Sequence, residues 1–455
     1  MSIIVFIDLN EVLLNLVDFN MIINNINLSL KHDPFTSVFG ITLILIIINV
    51  YFFSKFYMVK EKLYFFYPIM FAFSFTMFLL IYAPYYFFLL LGWDGLGLTS
   101  FYLIMFYQNY SSMMKANMTI LINRVGDYLI VVCLTLSLGV GAAIAASSHP
   151  LQGDKYLICV FLIFAGFVKS AQLPWSGWLL AAMAAPTPIS SLVHSSTLVC
   201  SGVILFMKLN ELSMNWNWSA LFLPVLSFSL AAIAAIFEKD LKKIIALSTL
   251  NQMSLLFISS FSSLTSTLSY MLSHAFFKSA MFMSSGFIFH SIKDSQDLRF
   301  SFSSSKFNKE LFMISGLSLS AFYFSSGFYG KENIMMMLTS ELNNFNFLTI
   351  FLFFLGSLLT FSYFFILLNK INFSEQNYLL KTMHKKNNPL FFLFLFLTLL
   401  SFFSTSPILN LTESYNFSSK NLIAPMMILI FLLLASLIPS LLGLSLLASF
   451  LIFLY

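Results

Sequence analysis

Apolar runs of 17 to 25 residues recur along most of this chain, and that feature alone leaves few folds open. A helix of about 20 apolar residues crosses the hydrocarbon of a bilayer. No water reaches the backbone there, so a spanning segment has to satisfy its own amides, which only helices and closed barrels do. A barrel needs alternating strands of about ten residues, and the sequence has none. Composition agrees, with 59% of the 455 residues hydrophobic and 9% charged, against roughly 25% charged in soluble domains. The expected fold is an all-α polytopic membrane protein.

Runs bounded by charge, proline or polar clusters place spans near 35–54, 63–82, 85–107, 116–147, 156–180, 187–208, 219–237, 241–260, 264–291, 311–340, 346–369, 390–405 and 422–454. That is thirteen transmembrane helices, the last kinked or split at Pro439. Residues 1–34 mix Asp8, Glu11 and Asp18 with aliphatics and read as an interfacial N-terminal segment. They lack the charge pattern of a cleaved signal peptide. The 23 Lys and Arg test the parity: fifteen fall on one face of this topology, Lys242 and Lys243 among them, and four on the other. Basic loops stay on the cytoplasmic or matrix side. The N-terminus is expected opposite.

Four cations remain inside spans: Arg124, Lys169, Lys278 and Lys331. Each costs at least about 2.5 kcal/mol at a helix centre, so they need partners or water. Asp94, Asp127, His194, His274 and Glu332 are the candidates. Arg124 and Asp127, three apart, form a local ion pair, either structural or tuning the field along a proton path. His274 and Lys278, four apart, share a helix face about 6 Å apart along the axis, the spacing of a relay step. His194 lies among Ser190, Ser191, Ser195, Ser196 and Thr197, whose hydroxyls can hold the water of a proton wire. Pro174, five residues after Lys169, removes a helical hydrogen bond and frees a carbonyl near the ammonium. Gly327 and Gly330 interrupt a span beside Lys331. Two broken helices, each with a lysine in corresponding positions, are the mark of an internally repeated transporter.

Other chemistries find no residues to carry them. Cys133, Cys159 and Cys200 are far apart, with no CxxC and no histidine cluster. There is also no Walker loop and no GxGxxG leading into a helix. No cofactor is expected on this chain, and any redox or nucleotide chemistry belongs to another polypeptide. The net charge of +5 calls for no nucleic-acid partner. The 57 Phe, with many Ile, Asn, Lys, Met and Tyr, have AT-rich codons and point to an organellar gene.

The strings "GWDGLGLTSFYLI", "NRVGDYL", "KSAQLPWSGWLLAAMAAPTPISSLVHSSTLV", "EKDLKKIIALSTLNQMS", "HAFFKSAMFMSSG" and "GFYGKENI" follow one another between residues 85 and 340. In them the chain resembles the antiporter-like subunits of complex I. The resemblance implies a proton-translocating membrane-arm subunit of the mitochondrial NADH:ubiquinone reductase. It also implies two inverted five-helix repeats, 63–208 and 209–369, set between 1–34, 35–62 and a C-terminal 370–455. Its partners would be other membrane-arm and redox-arm subunits, with NADH, FMN, iron–sulfur clusters and ubiquinone bound on the partner subunits. Asp94 and Lys169 then match the first-half carboxylate–lysine pair, His194 the connecting histidine, His274 and Lys278 the central residues, and Lys331 the exit-side lysine. Arg124 and Asp127 match an ion pair beside them. Where Asp94 stands the family often has Glu, one methylene longer. The stretch before residue 35 is too short and polar for the family's first two helices, and the residues after Lys331 carry no clear lateral helix. A sodium/proton antiporter subunit and a degenerate structural membrane subunit are the competing readings.

Overall fold

Every span expected between residues 35 and 369 falls on helix in the computed structural model, which describes residues 12–18, 27–32, 34–58, 60–83, 86–146, 152–208, 221–261, 264–291, 296–298, 306–322, 325–340 and 347–372. The helices are α1 (Pro34–Tyr57), α2 (Lys60–Tyr82), α3 (Tyr86–Ile104), α4 (Tyr110–Ala146), α5 (Gln152–Lys169), α6 (Gly177–Ala181), α7 (Thr187–Val193), α8 (Leu198–Lys208), α9 (Phe222–Phe237), α10 (Leu241–Ser260), α11 (Leu264–Ser291), α12 (Lys306–Ser320), α13 (Ser326–Ser340) and α14 (Phe347–Asn372). Seven stretches among the described residues are long and apolar enough to cross a membrane. The chain is a multi-pass membrane protein. The expected spans at 390–405 and 422–454 lie outside the described residues.

One departure from the all-α expectation lies near the N-terminus. Where an interfacial segment is expected, β1 (Val12–Asp18) and β2 (Asn27–His32) pair antiparallel, Val12 opposite His32. Asn27–His32 reads N-L-S-L-K-H, and this two-residue alternation suits a strand better than a helix.

Sequence neighbours pack on one another, α2 on α3, α4 on α5, α9 on α10 and α11 on α12, while α14 closes on α9. The stretch 187–208 and α10 are almost wholly enclosed by other helices. On α2 and α4, by contrast, Phe71, Leu121 and Tyr128 stand exposed. Such faces suit lipid tails, which are as apolar as the side chains themselves. Without a hydrophobic drive between helices, close backbone approach holds the interior together. At the α5–α8 crossing a Cβ on Gly202 would strike the Gly166 carbonyl. Gly202→Val is expected to force these helices apart at a cost of about 1–3 kcal/mol. Thermal unfolding of the purified protein would show a lowered midpoint, and an unchanged midpoint would refute the close crossing.

Two interruptions position the buried charges. After α5 the chain turns at Ala171, in the left-handed region at φ 59°. The Ala171 amide donates to the Val168 carbonyl and the Gln172 amide to the Phe167 carbonyl, at 3.2 and 2.9 Å. This is the Schellman cap, which satisfies the carbonyls a helix end leaves open. After α12 the same cap recurs: Ala321 has φ 64°, with Ala321 donating to Ser318 and Phe322 to Leu317. Both breaks therefore begin on a Ser-Ala pair, ahead of the residues expected to cause them. Pro174 lies three residues beyond the first turn. Gly327 and Gly330 do not interrupt a helix at all but sit inside α13, where a Cβ would strike the Ser318 carbonyl and the Tyr270 ring respectively. They are glycines because neighbours crowd them.

Candidate functional site

The "GWDGLG" stretch of α3 and the "NRVGD" stretch of α4 bring four charges together at the end of α5. Lys169, on the last residue of α5, is fully buried. Its Nζ donates to the Trp93 carbonyl at 3.2 Å, lies 5.1 Å from the Trp93 ring centre and pairs with Asp127 at 3.6 Å. Gly97 makes room for it, since a Cβ there would stand 3.3 Å from Nζ. Arg124 pairs with Asp127 at 3.5 Å, as the three-residue spacing predicts, and with Asp94 at 3.7 Å. The carboxylate in contact with Lys169 is Asp127, while Asp94, matched to Lys169 by the resemblance, contacts Arg124 and acts on Lys169 only through space. Their exposure follows, with the Asp94 side chain 33% exposed and that of Asp127 8%. A short aspartate on α3 meets the half-exposed guanidinium; the aspartate on α4 reaches inward.

A second group gathers where α7, α10, α11, α13 and α14 meet. His194 ends α7 at a turn that splits the expected span 187–208 into α7 and α8. It is buried, 6.0 Å from the Phe282 ring, and within electrostatic range of Lys242 and Lys278. The hydroxyls around it donate to their own backbone, Ser190 to Thr187, Ser191 to Pro188 and Thr197 to Leu192. His194 Nδ1 and Ser196 Oγ are left without partners. His274 and Lys278 share a face of α11, both fully buried. Neither His274 ring nitrogen makes a hydrogen bond of good geometry. Lys278 Nζ instead reaches α10, donating to Ser248 Oγ at 2.6 Å and to the Ile245 carbonyl at 3.5 Å. Lys331 donates to the Leu319 carbonyl at 3.0 Å and to Thr360 Oγ1 at 3.3 Å. Leu319 belongs to the final turn of α12, so the ammonium sits at the partially negative end of a helix.

The two lysines at the breaks are not in equivalent places: Lys169 precedes its break and Lys331 follows its own. Among the described residues no hydrogen bond or ion pair joins Lys169 directly to His194, nor pairs Glu332 with a cation. No cluster able to hold a metal ion is found among them either.

Several buried polar residues escaped the sequence reading. Lys242, assigned to the basic face, is buried and donates to the Ala185 carbonyl, whereas Lys243 beside it pairs with Asp240 at 2.7 Å in the open. Successive helical residues point about 100° apart, so one of such a pair can be enclosed while the other faces out. Gln172, just past the first break, accepts from Ser227 of α9, and Tyr270 donates to Gln252. The signal was available for Tyr270, which precedes His274 by the same four residues that separate His274 from Lys278. Buried polar atoms left without protein partners, here His194 Nδ1 and Ser196 Oγ, are ordinarily satisfied by ordered water. A row of ammonium, imidazole and hydroxyl groups of this kind is equipped to pass protons.

Comparison with known proteins agrees with these motifs. Residues 83–360 match the family model described as NADH:quinone oxidoreductase/Mrp antiporter, TM. The chain is 40% identical to NADH-ubiquinone oxidoreductase chain 5 of Locusta migratoria over 340 residues, covering 72% of this chain and 59% of that one. Against the protein of the same name from Anopheles gambiae it is 41% identical, over 64% of this chain and 51% of that one. It thus spans a little over half the length of these relatives. In fold it is similar to a chain in the structure of the Mrp complex from Dietzia sp., with a TM-score of 0.79 and 19% identity, over 98% of this chain and 53% of that one. With more than half of its length inside the family model, this chain belongs to the NADH:quinone oxidoreductase/Mrp antiporter transmembrane family.

Proposed function

We propose that this chain is a proton-translocating membrane-arm subunit of respiratory NADH:ubiquinone oxidoreductase, complex I, in the mitochondrial inner membrane. The observation that carries the reading is the set of enclosed ionisable side chains, Lys169, His194, His274, Lys278 and Lys331, each from a helix interior or helix end. Charges this deep cost several kcal/mol each and mark ion pathways. Protons step between buried lysines through imidazole and hydroxyl groups and the water those groups hold. Asp127, with Arg124 and Asp94 behind it, sets how firmly Lys169 keeps its proton, since a nearby carboxylate favours the ammonium and burial disfavours it. Charge movement in a neighbouring subunit, driven by quinone reduction elsewhere, shifts that balance. Uptake is from the basic face and release on the other. The two breaks with matching caps support two inverted repeats, 63–208 and 209–369. NADH, FMN, iron–sulfur clusters and ubiquinone are assigned to partner subunits, and the gene to the organelle.

The competing reading is a sodium/proton antiporter subunit, which the likeness in fold to an Mrp complex keeps in play. Purification from native membranes separates the two. Co-isolation with redox subunits, and NADH-driven proton transfer into vesicles that is indifferent to sodium, is the expected result. Isolation without redox partners, with proton movement that requires sodium, would reject complex I in favour of the antiporter.

A further inference from the structure

The relay reading leaves a gap between Lys278 on α11 and Lys331 on α13, and α14 supplies what lies in it. Lys278 and Lys331 are close enough for their charges to interact, yet their ammonium groups bond to different helices. Lys278 Nζ donates to Ser248 Oγ, and Lys331 Nζ to Thr360 Oγ1. Tyr363 stands one helical turn beyond Thr360, on the same face of α14. Its ring is buried, and its hydroxyl faces the side chains of Ser248 and Gln252. That hydroxyl makes no hydrogen bond of good geometry. With Ser248 and Gln252 in reach, the phenol can give a proton to one neighbour and take one from another, which phenylalanine in the same space could not do.

We propose that the Tyr363 hydroxyl is the relay group between Lys278 and Lys331. This rests on the proton-relay reading above and deepens it. The transfer balances as a series of hydroxyl exchanges. The Lys278 ammonium breaks one N–H bond as Ser248 Oγ gains that proton, turns its own O–H from the Ile245 carbonyl and releases it to the Tyr363 oxygen. Tyr363 then releases its original proton toward Thr360, and Thr360, turning its O–H from the Ser357 carbonyl, releases its own to the neutral Lys331 amine. One proton moves from nitrogen to nitrogen, and no hydroxyl ends charged. The turn between Tyr363 and Thr360 is about 5 Å along the helix, a span that one water bridges. Beside Lys331 lies a cavity of about 40 Å³, lined also by Ser320 and Ser357, so water can reach the receiving amine. A water needs only about 10–15 Å³ of such space.

The test compares Tyr363→Phe, Thr360→Val and Lys278→Ala in the assembled, vesicle-reconstituted complex, reading protons moved per NADH oxidised together with thermal stability. Tyr363→Phe is expected to lower proton transfer roughly tenfold or more with assembly and melting temperature unchanged, and Thr360→Val to do the same. Full transfer in Tyr363→Phe alongside loss in Lys278→Ala overturns the Tyr363 assignment and leaves the relay standing. Full transfer in both overturns the relay itself. Should Tyr363→Phe lower the melting temperature, Thr360→Val decides, and full transfer in it rejects the proposal.

Discussion

Replacing Lys169 by alanine is expected to lower coupled proton transfer at least roughly tenfold, since a positioned proton carrier contributes about 10²–10⁴ to such a step. The ammonium is enclosed between the Asp127 carboxylate and the carbonyl and ring of Trp93. Lys169→Arg divides the structural from the chemical role. A guanidinium keeps the charge that Asp127 needs but does not release its proton at any working pH. That variant is expected to assemble and still fail to transfer. Proton counts per NADH oxidised, taken on both variants after reconstitution, make the comparison. Full stoichiometry in either one would end the assignment of Lys169 to the path.

The second large effect separates two aspartates that look alike in the sequence. Asp127→Asn removes the carboxylate paired with the buried Lys169. Breaking a buried pair from one side costs about 3–5 kcal/mol, because the remaining charge is left uncompensated. Asp94→Asn removes only a partly exposed partner of Arg124, itself 47% exposed. Ion pairs with that much exposure are worth at most about 1 kcal/mol. Thermal stability and proton transfer should therefore both fall far more in Asp127→Asn than in Asp94→Asn. The opposite ranking would restore the Asp94–Lys169 pairing that the family resemblance implies. It would also show that the α3–α4 contact differs from the one described.

Helix placement was legible because its cause is local. A bilayer demands long apolar runs whatever surrounds them, and each run between 35 and 369 falls on helix. The breaks were legible in existence but not in position. Pro174, Gly327 and Gly330 drew attention because proline and glycine are the usual punctuation, while the turns are made by Ala171 and Ala321. Alanine in a left-handed cap leaves no compositional trace. The glycines answer instead to the Ser318 carbonyl across the break and to the Tyr270 ring of another helix.

The site divides the same way. That Lys169, Lys278 and Lys331 are buried follows from their position in apolar runs, since nothing nearby in the sequence offers them water. Which group holds each ammonium does not follow, because every partner comes from another helix: Asp127 and Trp93 for Lys169, Ser248 for Lys278, Leu319 and Thr360 for Lys331. Lys242 and Lys243 are adjacent in sequence and lie in opposite environments, one enclosed against Ala185 and one in the open with Asp240. By itself, then, the sequence determined a helical membrane protein with charges sunk in its interior, because solvation by lipid acts on each segment separately. Only the packing of α3, α4, α10, α12 and α14 decided what those charges touch, because at contact distance electrostatics depends on ångströms that chain order does not record.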